Sequence, residues 1–257
     1  MELVSLYLFT LLGGMAAGAY VFETCLRRQR TGARPWLVPL VVVILFAVGV
    51  IAAATHVHSI PRAVQSLFGG TVNFGAGMTQ EVVVAALFLI LALIDMIVTF
   101  AKKESPFALR VVGAVVAVVC MVMMGLAYTD VYGVTVWTNA PATVLAFLAG
   151  DLAMGLALYT VIDEKTYAEK TLRYISIAVN AVLAVALGLE VAAFVAAGCD
   201  PILQVVGLVV APVASIVLAA LSAKGSNGKA FAVGVCVVSI AGVALARYAF
   251  YAACMVL

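Results

Sequence analysis

The sequence predicts an all-α membrane protein: a bundle of eight transmembrane helices with both termini on the outer side of the membrane. Three observations lead to this prediction, namely the composition, the spacing of apolar stretches and the distribution of basic residues. Hydrophobic residues make up 66% of the chain and charged residues only 10%, whereas a soluble domain is about half apolar and a quarter charged. We therefore expect the chain to lie in a lipid bilayer, and we expect no nucleic acid among its partners.

Apolar stretches of about the 20 residues that a helix needs to cross a bilayer recur along the chain. The eight stretches lie at roughly 3–26, 36–57, 80–101, 107–128, 140–162, 172–198, 202–222 and 230–252. The connectors that remain are too short to fold around a core of their own. We therefore predict a single transmembrane domain over residues 1–257, and we assign any water-soluble chemistry to a partner.

The basic residues predict how the bundle is oriented. The first stretch is followed, not preceded, by arginines, so it is a retained helix and not a signal peptide. Twelve of the fourteen basic residues follow the first, third, fifth and seventh helices: Arg27, Arg28, Arg30, Arg34, Lys102, Lys103, Arg110, Lys165, Lys170, Arg173, Lys224 and Lys229. By the positive-inside rule this side is cytoplasmic, which places both termini and the connector 58–79 outside.

Ionisable residues within the apolar stretches indicate functional positions or buried ion pairs, because a charge in lipid is costly. We interpret Glu23 and Asp95, near inner helix ends, as snorkelling or pairing with the arginines. Asp151, in the middle of the fifth helix, has two possible interpretations. It is either a protonated carboxyl group that forms hydrogen bonds with its neighbours or part of a proton path. Glu190 and Arg247 lie at comparable depth, and we predict that they form a structural ion pair.

A group of polar residues lies where the second helix ends and the third begins: His56, His58, Arg62 and Glu81. A histidine that titrates near neutrality can accept a proton from a hydroxyl, and a nearby carboxylate can orient the ring or pass the proton on. This group suits a hydroquinone, whose isoprenoid tail is at home among apolar helices. These residues alone leave open a second interpretation, an interface that merely contacts headgroups and water.

The sequence predicts no haem, no iron-sulfur cluster and no metal site in this chain. The two histidines are two positions apart on one segment, so they cannot face each other across a haem. The five cysteines show no metal-ligand spacing: Cys25, Cys120, Cys199, Cys236 and Cys254. Cys199 and Cys254 lie near outer helix ends. The sequence leaves two alternatives for them, a disulfide or two isolated thiols. Electrons from a quinol would therefore pass to a partner just outside the bundle.

The stretch IAAATHVHSIPRAVQSL resembles the end of the second helix in the membrane-anchor C subunit of bacterial anaerobic dimethyl sulfoxide reductases. That family has a histidine followed six positions later by an arginine, as His56 and Arg62 are here. The chain departs from the family pattern H-L-G-S-P-x-R, because His58 replaces the glycine and Pro61 comes one position later. The turn after the helix is therefore expected to differ in detail.

Further motifs extend the resemblance over the whole chain. Glu81 in TQEV matches the family's carboxylate at the start of the third helix, and Arg247 in AGVALARYAFY matches the arginine of the closing helix. The eight-helix count also agrees, as do GGMAAG in the first helix, LGLE around Glu190, and the aromatic residues Tyr128 and Trp137.

The resemblance implies an anchor subunit of the bacterial inner membrane that binds and oxidises menaquinol without haem. It implies that electrons pass to a four-cluster iron-sulfur subunit serving a molybdopterin catalytic subunit, both docked on the outer face. His56 and Glu81 are the implied catalytic residues, and His56, Arg62 and Glu81 the implied quinol-binding residues. The chain alone is not expected to act on the terminal substrate.

Two other functions remain open from the sequence. The chain is equally suited to anchor a polysulfide, thiosulfate or other molybdopterin reductase, because an anchor does not touch the terminal substrate. A small-molecule or ion transporter is the third hypothesis, with Asp95, Asp151 and Glu190 as charges along a pathway. Transporters commonly have matched pairs of broken helices, and here only Pro212 in the seventh helix interrupts an apolar stretch.

Overall fold

A computed structural model describes residues 2–30, 34–55, 65, 69–70, 72–129, 131, 133–223 and 227–253, with residues 2 and 3 by their backbone alone. His56, His58, Arg62 and Cys254 lie outside these described residues. Within them the chain is all-helical, and eight helices are long and apolar enough to cross a membrane. They are α1 Glu2–Leu26, α2 Leu37–Ala54, α3 Gly77–Lys102, α4 Phe107–Thr129, α5 Ala140–Ile162, α6 Lys170–Ala196, α7 Ile202–Leu221 and α8 Gly228–Ala252. The predicted eight-helix architecture is confirmed.

Local sequence signals set several helix ends. The Asn139 side chain accepts a hydrogen bond from the Ala142 N–H at the start of α5, which satisfies one of the free amide groups of the first turn. Gly198 follows α6 with φ of 71°, a left-handed conformation that glycine adopts without a Cβ clash. The next amide, from Cys199, donates to the carbonyl of Phe194 over 2.9 Å, which closes the helix end in a Schellman motif.

Helices α1 and α5 form the centre of the bundle. In each of them 67% of the apolar span is buried, against 28–39% in the other six helices. The two backbones approach closely because Gly14 and Gly18 of α1 face Asp151 and Gly155 of α5. A Cβ atom on Gly18 would overlap the backbone of Asp151. The small-residue spacing in GGMAAG therefore serves helix packing inside one chain.

Helix α7 contains an irregular turn. Residues Val209–Val213 form a π-helical turn with Pro212 inside it. Proline has no backbone N–H to donate and its ring crowds the preceding turn, and an added residue in a π-turn relieves both constraints. Gly242 of α8 packs directly on Ala211 of this turn. The interruption that Pro212 predicts is therefore a local bulge at the α7–α8 contact.

The connectors after α1, α3, α5 and α7 meet at one end of the bundle, which we call the basic side. Arg27 after α1 pairs with Asp163 after α5 over 2.9 Å. Lys229 of α8 pairs with Glu164 over 2.8 Å, and its hydrogen bond lowers the pKa of the exposed Glu164 carboxyl. This meeting of basic connectors is the arrangement that alternate crossings of a membrane require.

Candidate functional site

Glu81 lies near the start of α3, at the end of the bundle opposite the basic side. The buried face of α3 consists of Glu81, Ala85, Phe88, Ala92, Asp95 and Thr99, a helical spacing that turns both of its carboxylates away from lipid. Glu81 is only 6% exposed, and its Oε1 forms no hydrogen bond with any described residue. A buried polar atom without a partner is costly, and the part of the chain that the structure describes supplies no hydrogen-bond donor to the Glu81 Oε1.

At the same end of the bundle as Glu81 lies an aromatic cluster, which consists of Tyr128, Trp137, Phe147, Phe250 and Tyr251. Neighbouring rings in this cluster have centroids 5.2–6.3 Å apart, many of them edge to face, a favoured geometry for aromatic pairs. All five side chains are buried, none more than 5% exposed, so this end of the bundle has an aromatic core.

The polar atoms of the aromatic cluster are held by hydrogen bonds. The Tyr251 hydroxyl donates to the Tyr128 hydroxyl over 2.8 Å and also lies 3.1 Å from the Thr10 hydroxyl of α1. The Trp137 indole N–H donates to the carbonyl of Phe250 over 2.8 Å. These bonds fix the rings of the cluster relative to α1, α4 and α8.

Arg247 of α8 is a charged residue that contacts this cluster through Phe147. Its Nη1 lies 2.8 Å from the Asp151 carboxylate of α5 and donates to the carbonyl of Thr10 over 2.6 Å. Its guanidinium carbon is 4.3 Å from the centroid of the Phe147 ring, within range of a cation–π interaction. Thr10 thus lies between the two groups: its backbone carbonyl accepts from Arg247, and its hydroxyl contacts Tyr251.

The ion pair of Arg247 is formed with Asp151 and not with Glu190, the partner predicted from sequence. Helix α8 packs on α5 and α7, and α6, which carries Glu190, packs on the same two helices and not closely on α8. Glu190 is buried and within electrostatic range of Arg247, but it is not in an ion pair with it. The similar depth predicted for Glu190 and Arg247 therefore did not determine which carboxylate pairs with Arg247.

A second buried charge cluster lies at the basic side. Arg30, in the connector after α1, pairs with Glu23 over 2.7 Å and with Asp95 over 2.6 Å, and it also donates to Thr99 and Ser105. Burial alone would lower the pKa of the Arg30 guanidinium, but Asp95 and Glu23 outweigh that effect and raise it above its ordinary value. Of the two interpretations of Glu23 and Asp95, pairing is therefore the one observed.

The structure describes only one of the three residues assigned to quinol binding. Glu81 is described, whereas His56 and Arg62 lie outside the described residues. Among the described part of the chain, no group of three or more His, Cys, Asp or Glu side chains could hold a metal ion. Sequence reasoning missed the link through Thr10, since a threonine in an apolar helix carries no signal that distinguishes it from packing.

Comparison with known proteins gives one family. The sequence model of a family described as "DMSO reductase anchor subunit (DmsC)" matches residues 1–252, which include all eight helices, the aromatic cluster and both buried charge clusters. No curated protein matches the chain.

Proposed function

Because the chain belongs to the family of DMSO reductase anchor subunits (DmsC), we propose that it binds menaquinol, oxidises it and passes the electrons to an iron-sulfur subunit. An anchor of this family is the membrane subunit of a complex with catalytic and iron-sulfur subunits. We further place this complex in a bacterial inner membrane. The four-cluster iron-sulfur subunit and the molybdopterin subunit would dock on the outer face, opposite the basic side.

The observation that carries the proposal is the buried Glu81 carboxylate, whose Oε1 has no hydrogen-bond donor among the described residues. A quinol, when bound, supplies two electrons and two hydroxyl protons. Its hydroxyl can donate a hydrogen bond to this carboxylate. The residues that are present therefore fit a hydroquinone headgroup.

The proposed roles of the other two residues depend on the resemblance. His56 accepts a proton from the bound hydroxyl, because a neutral imidazole is basic enough to do so near neutral pH. Glu81 orients that imidazole or takes the proton onward. Arg62 positions the site or contacts the docked iron-sulfur subunit.

Replacement of His56 with leucine tests the proposal. We expect the His56→Leu complex to assemble and to reduce its terminal substrate with an artificial electron donor, but to lose turnover with a menaquinol analogue. Unchanged turnover with the quinol analogue would refute the role of His56. This experiment does not identify the terminal substrate, because an anchor of a polysulfide or thiosulfate reductase would give the same result. The terminal substrate is identified by assaying the purified catalytic subunit.

The transporter hypothesis is less well supported. Two of its three candidate carboxylates, Asp95 and Asp151, are engaged in buried ion pairs at 2.6 and 2.8 Å. A group already neutralised by a fixed arginine is poorly suited to bind a mobile cation. Transport by the chain in the absence of soluble partners would support that alternative instead.

A further inference from the structure

A cavity on the basic side lies at the opposite end of the bundle from Glu81 and the aromatic cluster. It has a volume of about 730 Å³ and is bounded by the ends of α1 and α5 and the start of α2. Its charged lining residues are Arg27, Arg28, Arg34, Lys165, Asp163 and Glu164. We propose that this cavity binds the phosphodiester headgroup of an anionic phospholipid such as phosphatidylglycerol. The proposal does not depend on the quinol chemistry.

The charges of the cavity leave an excess of positive charge. Both carboxylates already have basic partners, since Asp163 pairs with Arg27 and Glu164 pairs with Lys229, which is outside the cavity lining. Among the described residues, neither Arg28 nor Arg34 has a carboxylate at ion-pair distance. The two exposed guanidiniums can therefore each donate to a phosphate oxygen.

The wall of the cavity formed by Arg27 and Arg28 is held in place before any ligand binds. The buried Arg110 of α4 donates to the carbonyls of Arg27 and Arg28, and Arg30 is fixed between Glu23 and Asp95. On the facing wall, the Tyr159 hydroxyl donates to Asp163 over 3.1 Å. A preformed wall lowers the entropy lost when a ligand is ordered.

The surroundings of the cavity favour a lipid over a soluble anion. Leu26, Leu37 and Ile162 also line it, so apolar surface continues from the charged groups into the zone occupied by acyl chains. Trp36, immediately before α2, stacks on Phe100 of α3 with ring centroids 5.3 Å apart. Tryptophan is enriched where headgroups meet acyl chains, which places the cavity at headgroup level.

Lipid binding by the full chain, purified in mild detergent, tests the proposal directly. We expect phosphatidylglycerol to remain bound in native mass spectra and to raise the thermal unfolding midpoint at concentrations where phosphatidylcholine does neither. Equal retention of the two lipids would overturn the proposal. Equal protection by inorganic phosphate would also overturn it, because it would identify a site for a free anion.

Two pairs of variants separate this cavity from the general charge of the basic side. Arg28→Gln/Arg34→Gln should weaken phosphatidylglycerol binding about 30-fold, as expected when two basic residues at the membrane surface are lost. Lys102→Gln/Lys103→Gln removes the same charge from the same side outside the cavity and should leave affinity within about threefold. The charge-preserving Arg28→Lys/Arg34→Lys should retain most of the binding. An equal loss in the control pair would contradict a localised site.

Discussion

At the scale of single residues, the ion pair between Asp151 and Arg247 makes a quantitative prediction. Removal of one charge leaves the other buried and uncompensated, so Asp151→Asn or Arg247→Gln should each lower the free energy of unfolding by about 3–5 kcal/mol. The double variant should lose clearly less than the sum of the two, because neither charge is then left alone. Unfolding titrations in detergent measure all three values. Additive losses would show that the two side chains do not interact in the membrane.

The proposed role of the buried Glu81 carboxylate predicts a specific loss of quinol oxidation when this residue is replaced. Glu81→Gln keeps the size of the side chain but removes its ability to accept a proton, so turnover with a menaquinol analogue should fall about 100-fold. Glu190→Gln is a matched control that neutralises a buried carboxylate on a different helix, α6. Steady-state rates of the assembled complex distinguish the two, and equal losses would argue for a general effect of burial.

Individual residues were predictable from the sequence only where chemistry and depth were enough. The position of Glu81 near the start of the third helix was predicted from the apolar stretches and is where α3 places it, whereas its burial was not predicted. The choice of Asp151 as partner of Arg247 does not follow, because residue depth leaves the rotation of each helix undetermined. Likewise Arg30 is one of four neighbouring arginines, and only the folded connector distinguishes it by burying it between Glu23 and Asp95.

At the scale of elements, the close contact of α1 with α5 predicts that small residues are required there. A methyl group on Gly18 would overlap the backbone of Asp151, so Gly18→Ala should destabilise the bundle by about 1–3 kcal/mol. Gly188 of α6 has no atom within 4 Å of the equivalent position. Gly188→Ala should therefore be neutral or stabilise the helix by up to about 1 kcal/mol. Detergent unfolding measures both, and equal effects would contradict the packing role of Gly18.

The helices themselves were the most predictable elements. A span of about 20 apolar residues has few alternatives in a bilayer, because an unpaired backbone amide is too costly there. The start of α3 at Gly77, three residues before the predicted position, lies among residues without a strong apolar pattern. The π-turn around Pro212 could not be predicted from the sequence, because hydropathy shows that a segment is apolar but not how its backbone accommodates a proline.

At the scale of the whole molecule, the two ends of the bundle differ in chemistry. One end has the basic connectors, the Arg30 cluster and the charged cavity, and the other has Glu81 with the aromatic cluster. The polar contacts that link Asp151, Arg247, Thr10, Tyr251 and Tyr128 involve α1, α4, α5 and α8, and the Thr10 contact with Arg247 is through its backbone carbonyl. The orientation of the bundle therefore determines on which side of the membrane the proposed quinol site lies and on which face the soluble partners are proposed to dock.

The charge of the connectors predicts the orientation of the bundle in the membrane. Cysteine labelling at the two ends of one helix tests this orientation. Glu169 and Asp200 are exposed residues just before and just after α6, so they lie at opposite membrane surfaces. In a cysteine-free background, Asp200→Cys should react with an impermeant maleimide in intact spheroplasts, and Glu169→Cys only after lysis. The physical reason is that twelve of the fourteen basic residues share the side of Glu169, and such connectors are retained in the cytoplasm. The reverse labelling pattern would place Glu81 at the cytoplasmic surface and would contradict docking of the partners on the outer face.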